Sequence, residues 1–288
     1  GMVWTCSSKP SHRRVQLCVW WANENWTRRW DGLDEQVLMA QRHEPEDDLA
    51  FIEDLAAVLR DPRYIRINGR PLLIVYRAGI LPRPQQTLQV WRDYCRANGI
   101  GDLYIVAAQT FGLEDPRGFG FDAAVEFPPH KIITGEIQNE LEILNPAYEG
   151  RVFSYEDVAR KESLVSWPEY KLFKTVMPSW DNEARKPGKG HVFTGSTPEI
   201  YRNWIESICR ATDERHVGDE KLVFINAWNE WAEGAYLEPD RQYGYAYLES
   251  TRSALSNFPA PVTKQRRALH VIVHAFYPDV FAEMLIEL

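Results

Sequence analysis

The sequence predicts an α/β fold with a parallel sheet, because strand-like and helix-like segments alternate along it. Six apolar runs rich in β-branched and aromatic residues cover residues 15–22, 71–77, 103–109, 123–127, 174–180 and 222–228. Most are near-continuous rather than alternating in polarity, the pattern of strands covered on both faces. Between them lie one-faced apolar stripes of helical period, an order that goes with right-handed crossovers.

The helical stripes follow in sequence order. Leu49, Ile52, Leu55, Ala56 and Leu59 form the first, entered through Asp47 and Asp48, whose charges suit a helix N-terminus. Leu88, Trp91 and Cys95 form the second, with Gly99 as its C-cap. Thr197-Pro198-Glu199 supplies an N-cap, a first-turn proline and a favourable charge ahead of Tyr201, Trp204, Ile205 and Ile208. Tyr247, Leu248, Thr251 and Leu255 close the series. Two places break the rhythm. Residues 111–121 are too short for a crossover helix, and residues 131–153 form a long excursion of weak helical character.

Length and composition fit one large domain with an appendage. The chain has 288 residues, 44% hydrophobic and 26% charged, as in an ordinary globular protein. One α/β barrel uses about 250 residues. The net charge of −8 argues against a nucleic-acid partner, which needs a basic footprint. No apolar run approaches the ~20 residues of a membrane-spanning helix. Cys6, Cys18, Cys95 and Cys209 form no Cys-x-x-Cys pair and read as free thiols in a reducing compartment. Gly1-Met2 reads as a tag scar, and the run after Arg13-Arg14 reads as a core strand rather than an export signal. Neither Gly-x-Gly-x-x-Gly nor a Walker motif follows any strand, so a nucleotide-binding sheet lacks its own signature. His270 and His274 stand in a β-branched run, where a spacing of four is not a helical metal face. We expect no metal cluster and no cofactor.

The chemistry sits where strands end. Trp20-Trp21-Ala22-Asn23-Glu24-Asn25-Trp26 follows the first strand, and Asn226-Ala227-Trp228-Asn229-Glu230-Trp231-Ala232-Glu233-Gly234 follows the last. Tyr76-Arg77, Gln109, Glu126 and Ser179-Trp180-Asp181-Asn182 end the others. In a parallel barrel these ends converge on one face. Amides, carboxylates and indoles there suit a sugar, whose hydroxyls want polar partners and whose C–H faces stack on flat rings.

Glu230 and Glu233 are the sharpest pair. On an extended strand they would point to opposite faces. On a helical turn after Trp228 they would share one side, with Cβ atoms ~5–6 Å apart. Two carboxylates that close do not both ionise freely, so one holds a proton and acts as acid. Asn23, Glu24, Trp26, Tyr76, Gln109, Glu126, Trp180, Asp181, Asn229 and Trp231 are the substrate-binding candidates. For Glu24 and Glu126, ligand contact and a salt bridge to Arg28, Arg29 or Arg77 are equally open. Trp20 and Trp228 are expected in core layers, whereas Trp26, Trp180 and Trp231 are the stacking platforms. His130 either lines the site or packs.

The segment Trp21-Ala22-Asn23-Glu24-Asn25-Trp26-Thr27-Arg28-Arg29-Trp30-Asp31-Gly32 resembles the signature of the WbsX family. Asp61-Pro62-Arg63-Tyr64-Ile65, Pro71-Leu72-Leu73, Pro178-Ser179-Trp180-Asp181-Asn182, Trp228 to Gly234 and Leu237-Glu238-Pro239-Asp240 match in order. The family carries a domain similar to glycoside hydrolase family 99, within bacterial O-antigen and surface-polysaccharide (lipopolysaccharide) biosynthesis. The resemblance implies a (β/α)8 TIM-type barrel over residues 15–258. It implies Glu233 as acid/base and Glu230 as the base toward the sugar 2-hydroxyl. It also implies an oligosaccharide or lipid-linked glycan substrate, α-mannosidic in the hydrolase family, while WbsX proteins carry a glycosyltransferase label.

Two features depart from that pattern. Residues 1–14 take the place of the family's first two strand–helix units, so the barrel is expected to lack them. The two exposed sheet edges would then invite oligomerisation. Residues 259–288 read as a linker and the start of a following domain, similar to a rhamnan synthesis protein F domain. The expected location is the bacterial cytoplasm, at the membrane periphery within a larger assembly protein. The competing function is a glycan-binding barrel without catalysis.

Overall fold

The structure is a computed structural model that describes residues 2–5, 16–28, 33–258 and 270–275. The first half of the chain forms strands β1 (Met2–Thr5), β2 (Gln16–Trp21), β3 (Trp26–Arg28) and β4 (Leu33–Met39), then helix α1 (Pro45–Leu59). Strands β5 (Arg66–Ile67) and β6 (Arg70–Val75), helix α2 (Pro84–Ala97), and strands β7 (Tyr104–Gln109) and β8 (Ala123–Glu126) follow. The second half runs β9 (Arg151–Ser154), α3 (Tyr155–Ser163), β10 (Leu172–Val176), β11 (Trp180–Asp181), β12 (His191–Thr194) and α4 (Pro198–Arg215). It ends with β13 (Leu222–Asn226), β14 (Asn229–Glu230), β15 (Ala235–Tyr236), α5 (Ala246–Ser256) and β16 (His270–Ala275).

All six predicted strands are present, in parallel. The main sheet has the order β2-β1-β16-β13-β10-β8-β7-β6-β5, and β2 also pairs with β6. The pairings therefore close into a ring, with β5 a short hairpin arm of β6. Every strand of the ring is parallel to its neighbours except β1, which is antiparallel to both β2 and β16.

The open edges expected of β2 and β13 are thus covered here by the chain's own ends. Val3 stands opposite Cys18 and His274, and β16 pairs with β13 from Leu222 to Asn226. An unpaired strand edge presents a row of unmet backbone groups, and these two strands meet them.

The helices are set by local chemistry. Glu44 caps α1 through a capping box with Asp47, and Pro45 occupies its first turn. Asp48 is buried: its carboxylate accepts from Thr87 Oγ1 at 2.7 Å and its carbonyl from Trp91 Nε1 at 2.9 Å, which ties α1 to α2. Ile52, Leu59, Leu88, Trp91 and Cys95 lie beneath, fully buried. Thr197 caps α4 through its side chain, as the sequence predicts. Helix α3, which no apolar stripe announced, is capped by Ser154 accepting from Asp157 N. No crossover helix joins β7 to β8; a single 3-10 turn, Arg117–Phe119, does. No described helix is long and apolar enough to cross a membrane.

The excursion over residues 131–153 has a clear role. It ends in β9, which pairs in parallel with β12, and β12 pairs with β11. This three-stranded sheet stands beside the barrel mouth and carries the loop from Asp181 to His191.

Candidate active site

Strand β13 ends at Asn226, whose Nδ2 donates to the Pro128 carbonyl at 2.9 Å. The chain then makes the two-residue strand β14 and one 3-10 turn, Trp231–Glu233. Glu230 is the N-cap of that turn, outside its helical backbone at φ −86° and ψ 67°, and Glu233 is the turn's last residue. Gly234 ends the turn in the left-handed region at φ +60°. A Cβ there would meet Asp181 N at 2.7 Å, so β11 packs directly on the turn. Ser179 Oγ donates to the Gly234 carbonyl, a second tie between the same elements.

The two carboxylates do not stand alone. Arg185, in the loop after β11, places Nη2 2.7 Å from Glu230 Oε1 and Nε 3.5 Å from Glu233 Oε1. Glu230 is buried and Glu233 partly open, with 8% and 25% of their side chains exposed. Burial pushes the Glu230 carboxyl above its ordinary value, and the Arg185 guanidinium opposes that shift. The loop holding Arg185 is itself braced. Arg185 N donates to the Asn182 carbonyl, and the Glu183 carboxylate accepts from Gly188 N and Gly190 N.

Trp231 is the exposed aromatic of the site, 46% open. Its ring stacks on Tyr236 at 3.8 Å and 15°, and Nε1 donates to Glu238 Oε2 at 2.5 Å. One indole face is thereby fixed against tyrosine. The ring borders an open groove of about 560 Å³ that Pro239, Asp240, Arg241 and Gln242 also line.

The other candidates sort into three kinds. Trp180, Asp181, Asn229, Glu230, Trp231 and Glu233 come together around the β11 and β14 ends. Trp180 is a correction: at 6% exposure it packs in the α4 core cluster instead of offering a surface platform. Glu24 and Tyr76 form a second group at the β2 and β6 ends. Arg77 Nη1 lies 4.0 Å from Glu24 Oε2, and its guanidinium sits 4.0 Å over the exposed Phe111 ring. Arg77 and Phe111, with Thr110 and Leu113, border a cavity of about 350 Å³ that neither Glu24 nor Tyr76 lines. His130 lies at this end, its ring 5.1 Å from Phe111.

Three residues serve the frame. Asn23 is fully buried and clamps Arg77, donating to its carbonyl at 2.9 Å and accepting from its N–H at 2.8 Å. Gln109 donates to the Glu114 carbonyl and to the Tyr170 hydroxyl. Glu126 pairs with Lys174 and accepts from Thr175 N. Phe173 meets Tyr104 and Phe224 of other barrel strands, so its neighbour Lys174 faces the opposite way, out of the barrel, and holds Glu126 there. For Glu126 the salt-bridge alternative is the observed one, with Lys174 as the unforeseen partner. Trp26 lies in β3, paired antiparallel with β4; Arg29 lies outside the described residues.

Trp20 and Trp228 are core residues at 4% and 3% exposure. Cys18, Cys95 and Cys209 are buried free thiols, and burial pushes Cys95 up to about 11; Cys6 lies outside the described residues. Among the described residues no group of His, Cys, Asp and Glu could hold a metal ion.

Fold and geometry together define a TIM-type α/β barrel with a carboxylate pair at its strand ends. The chain belongs to the family described as Glycosyltransferase WbsX, whose model matches residues 6–251. Two proteins of Xanthomonas campestris pv. campestris, both titled "Uncharacterized protein WxcX", are similar to it. They are 45% and 44% identical over 272 residues, which is 94% of this chain. The chain spans 39% of the length of each. Among solved structures, a glycoside hydrolase-like protein matches at TM-score 0.52 and 18% identity, over 73% of this chain and 62% of that one. The GH99 endo-α-mannosidase from Bacteroides thetaiotaomicron matches over the same shares at TM-score 0.39 and 16% identity.

Proposed function

We propose that this chain carries the active site of a glycan-processing enzyme of bacterial surface-polysaccharide metabolism, and that Glu230 and Glu233 break its glycosidic bond. The observation that carries the reading is that Arg185 reaches both carboxylates, Glu230 at the cap of the turn and Glu233 within it, with the exposed Trp231 between them in sequence. The WbsX family description and the fold of a glycoside hydrolase-like protein support it.

The reaction runs in two steps. Glu230, as carboxylate, takes the proton of the sugar 2-hydroxyl, and that oxygen attacks C1. The C1–O bond to the leaving group breaks as Glu233 gives its proton to the departing oxygen. A 1,2-anhydro sugar results, a substrate-assisted variant of the two-carboxylate scheme. Glu233, now ionised, then removes a proton from water, whose oxygen opens the strained ring at C1. Glu230 returns its proton to O2. Two displacements at C1 retain the anomeric configuration. A sugar hydroxyl in place of water makes the second step a transfer, without any sugar nucleotide.

An α-mannosidic oligosaccharide is the substrate class to try first, because the 1,2-anhydro route needs a free 2-hydroxyl trans to the leaving group, as an α-mannoside has. Turnover and binding are separable. Glu233→Gln should abolish product while leaving glycan binding within a few-fold of wild type, measured by affinity electrophoresis through the polysaccharide. Equal binding with no product from the wild-type protein would instead make the barrel a recognition domain.

A further inference from the structure

Phe111 holds a backbone conformation that its residue type disfavours. Its φ is +49°, in the left-handed region, and Gly112 follows at φ +89°. Among the described residues, Asn68 and Lys131 are the other non-glycines in that region. Asn68 precedes Gly69 in the β5–β6 hairpin, where an Asn-Gly turn is ordinary chemistry. Turn chemistry does not account for Phe111, because Gly or Asn would make the same turn with less strain. Nor does the core, since Phe111 is 55% exposed. Strain of this kind collects where a side chain is needed for a ligand.

The surroundings of the ring form a braced cavity. The Arg77 guanidinium lies 4.0 Å over Phe111, and the two residues line the cavity of about 350 Å³ together. Fully buried Asn23 grips the Arg77 backbone from both sides. Thr110 Oγ1 donates to the Tyr76 carbonyl at 2.7 Å, and Gln109 Nε2 to the Glu114 carbonyl at 3.0 Å. Each cation here faces a carboxylate, Arg77 with Glu24 at 4.0 Å and Lys131 with Glu114 at 3.0 Å. An acidic ligand would therefore meet repulsion as well as attraction. What remains on offer is an apolar ring beside a planar fork of N–H donors, which makes no hydrogen bond to the described residues.

The cavity also stands on the right face. Arg77 follows β6 and Phe111 follows β7, at the strand ends that share a direction with β13, after which Glu230 and Glu233 come. In ring order β7 and β13 are three places apart, an arc of roughly 14 Å at ordinary strand spacing. One sugar ring does not fill both places, whereas a glycan chain can. We propose that this cavity is a second glycan subsite, where an uncharged pyranose lays its C–H face on Phe111 and its hydroxyl oxygens accept from Arg77. This rests on the reading of the chain as glycan-active, and it concerns a sugar other than the one cleaved.

Phe111→Gly separates the subsite from a packing role, because it removes the ring while relieving the backbone. Wild type, Phe111→Gly, Phe111→Tyr, Arg77→Met and Glu233→Gln are run by affinity electrophoresis through soluble α-mannan and through delipidated O-polysaccharide, and the thermal unfolding of each is measured. Phe111→Gly should unfold close to the wild-type temperature while its retention weakens about tenfold. Arg77→Met should weaken similarly, and Phe111→Tyr and Glu233→Gln should be retained like wild type. Retention of Phe111→Gly equal to wild type would overturn the inference, as would a wild type retained in neither gel. Should Phe111→Gly unfold early, a folded Arg77→Met decides, and its unchanged retention would overturn it. Weakened retention with no product from wild type would leave the subsite standing and defeat the reaction; product with equal retention of all variants would do the reverse.

Discussion

Gly234 and Asp181 touch so closely that a side-chain carbon on the glycine would stand 2.7 Å from the aspartate's backbone nitrogen. With φ at +60°, the position excludes other residues twice, by conformation and by contact. Gly234→Ala should therefore cost at least about 2 kcal/mol, combining left-handed strain with overpacking. Thermal unfolding checks this. A variant as stable as wild type would mean that β11 is not seated on the turn.

Asn23 should behave as a clamp between strand ends. Asn23→Ala leaves the Arg77 N–H and carbonyl without their partner, which costs about 2–4 kcal/mol for two buried polar groups. Asn23→Asp keeps the acceptor but sets an oxygen against the Arg77 carbonyl and buries a charge, so its loss should be at least as large. Urea unfolding of the three proteins gives the ranking.

The Glu126–Lys174 pair predicts a pH dependence of stability. Burial holds the Glu126 carboxyl above its ordinary 4.5, with Lys174 opposing. The folded protein then keeps a proton that the unfolded chain releases. The contribution of this group is full below about pH 4.5 and falls as pH rises through the raised folded value. Lys174→Met removes the opposing cation, so its stability should drop more steeply over that window, reaching a loss of about 3–5 kcal/mol. Adding Glu126→Gln should flatten the curve. Unfolding free energies at a series of pH values decide it.

Trp231 should matter to ligand more than to fold. It is exposed, and its own stack on Tyr236 is worth about 1 kcal/mol. Trp231→Ala should cost no more than that in stability while weakening retention on the polysaccharide by roughly tenfold. A large loss of stability with unchanged retention would make the indole a structural part.

Much of this was legible in the sequence because the signals are local. Near-continuous apolar runs such as that ending at Gln109 mark strands covered on both faces, and Thr197-Pro198 marks a helix start. Glu230 and Glu233, followed by Gly234, already allowed a tight turn once the strand ended. What was not legible depends on pairings far apart in the chain. Glu126 looks like any strand-end acid until Lys174, 48 residues on, is seen across the β8–β10 pair. Arg185 lies 45 residues before Glu230, in a polar loop with no periodicity to mark it. Trp180 reads as a platform by its neighbours, yet the helix α4 cluster covers it. The strands β1 and β16 are short and distant, and nothing local says that they meet.

The most direct test of the central claim is product analysis. Wild type and Glu233→Gln are incubated with α-mannosidic and O-antigen-type oligosaccharides, with and without sugar nucleotides, and the products are read by mass spectrometry and anomeric NMR. The account predicts fragments of retained configuration from the wild type alone, with no nucleotide required. Extension that appears only with a sugar nucleotide, or equal turnover by Glu233→Gln, would contradict it.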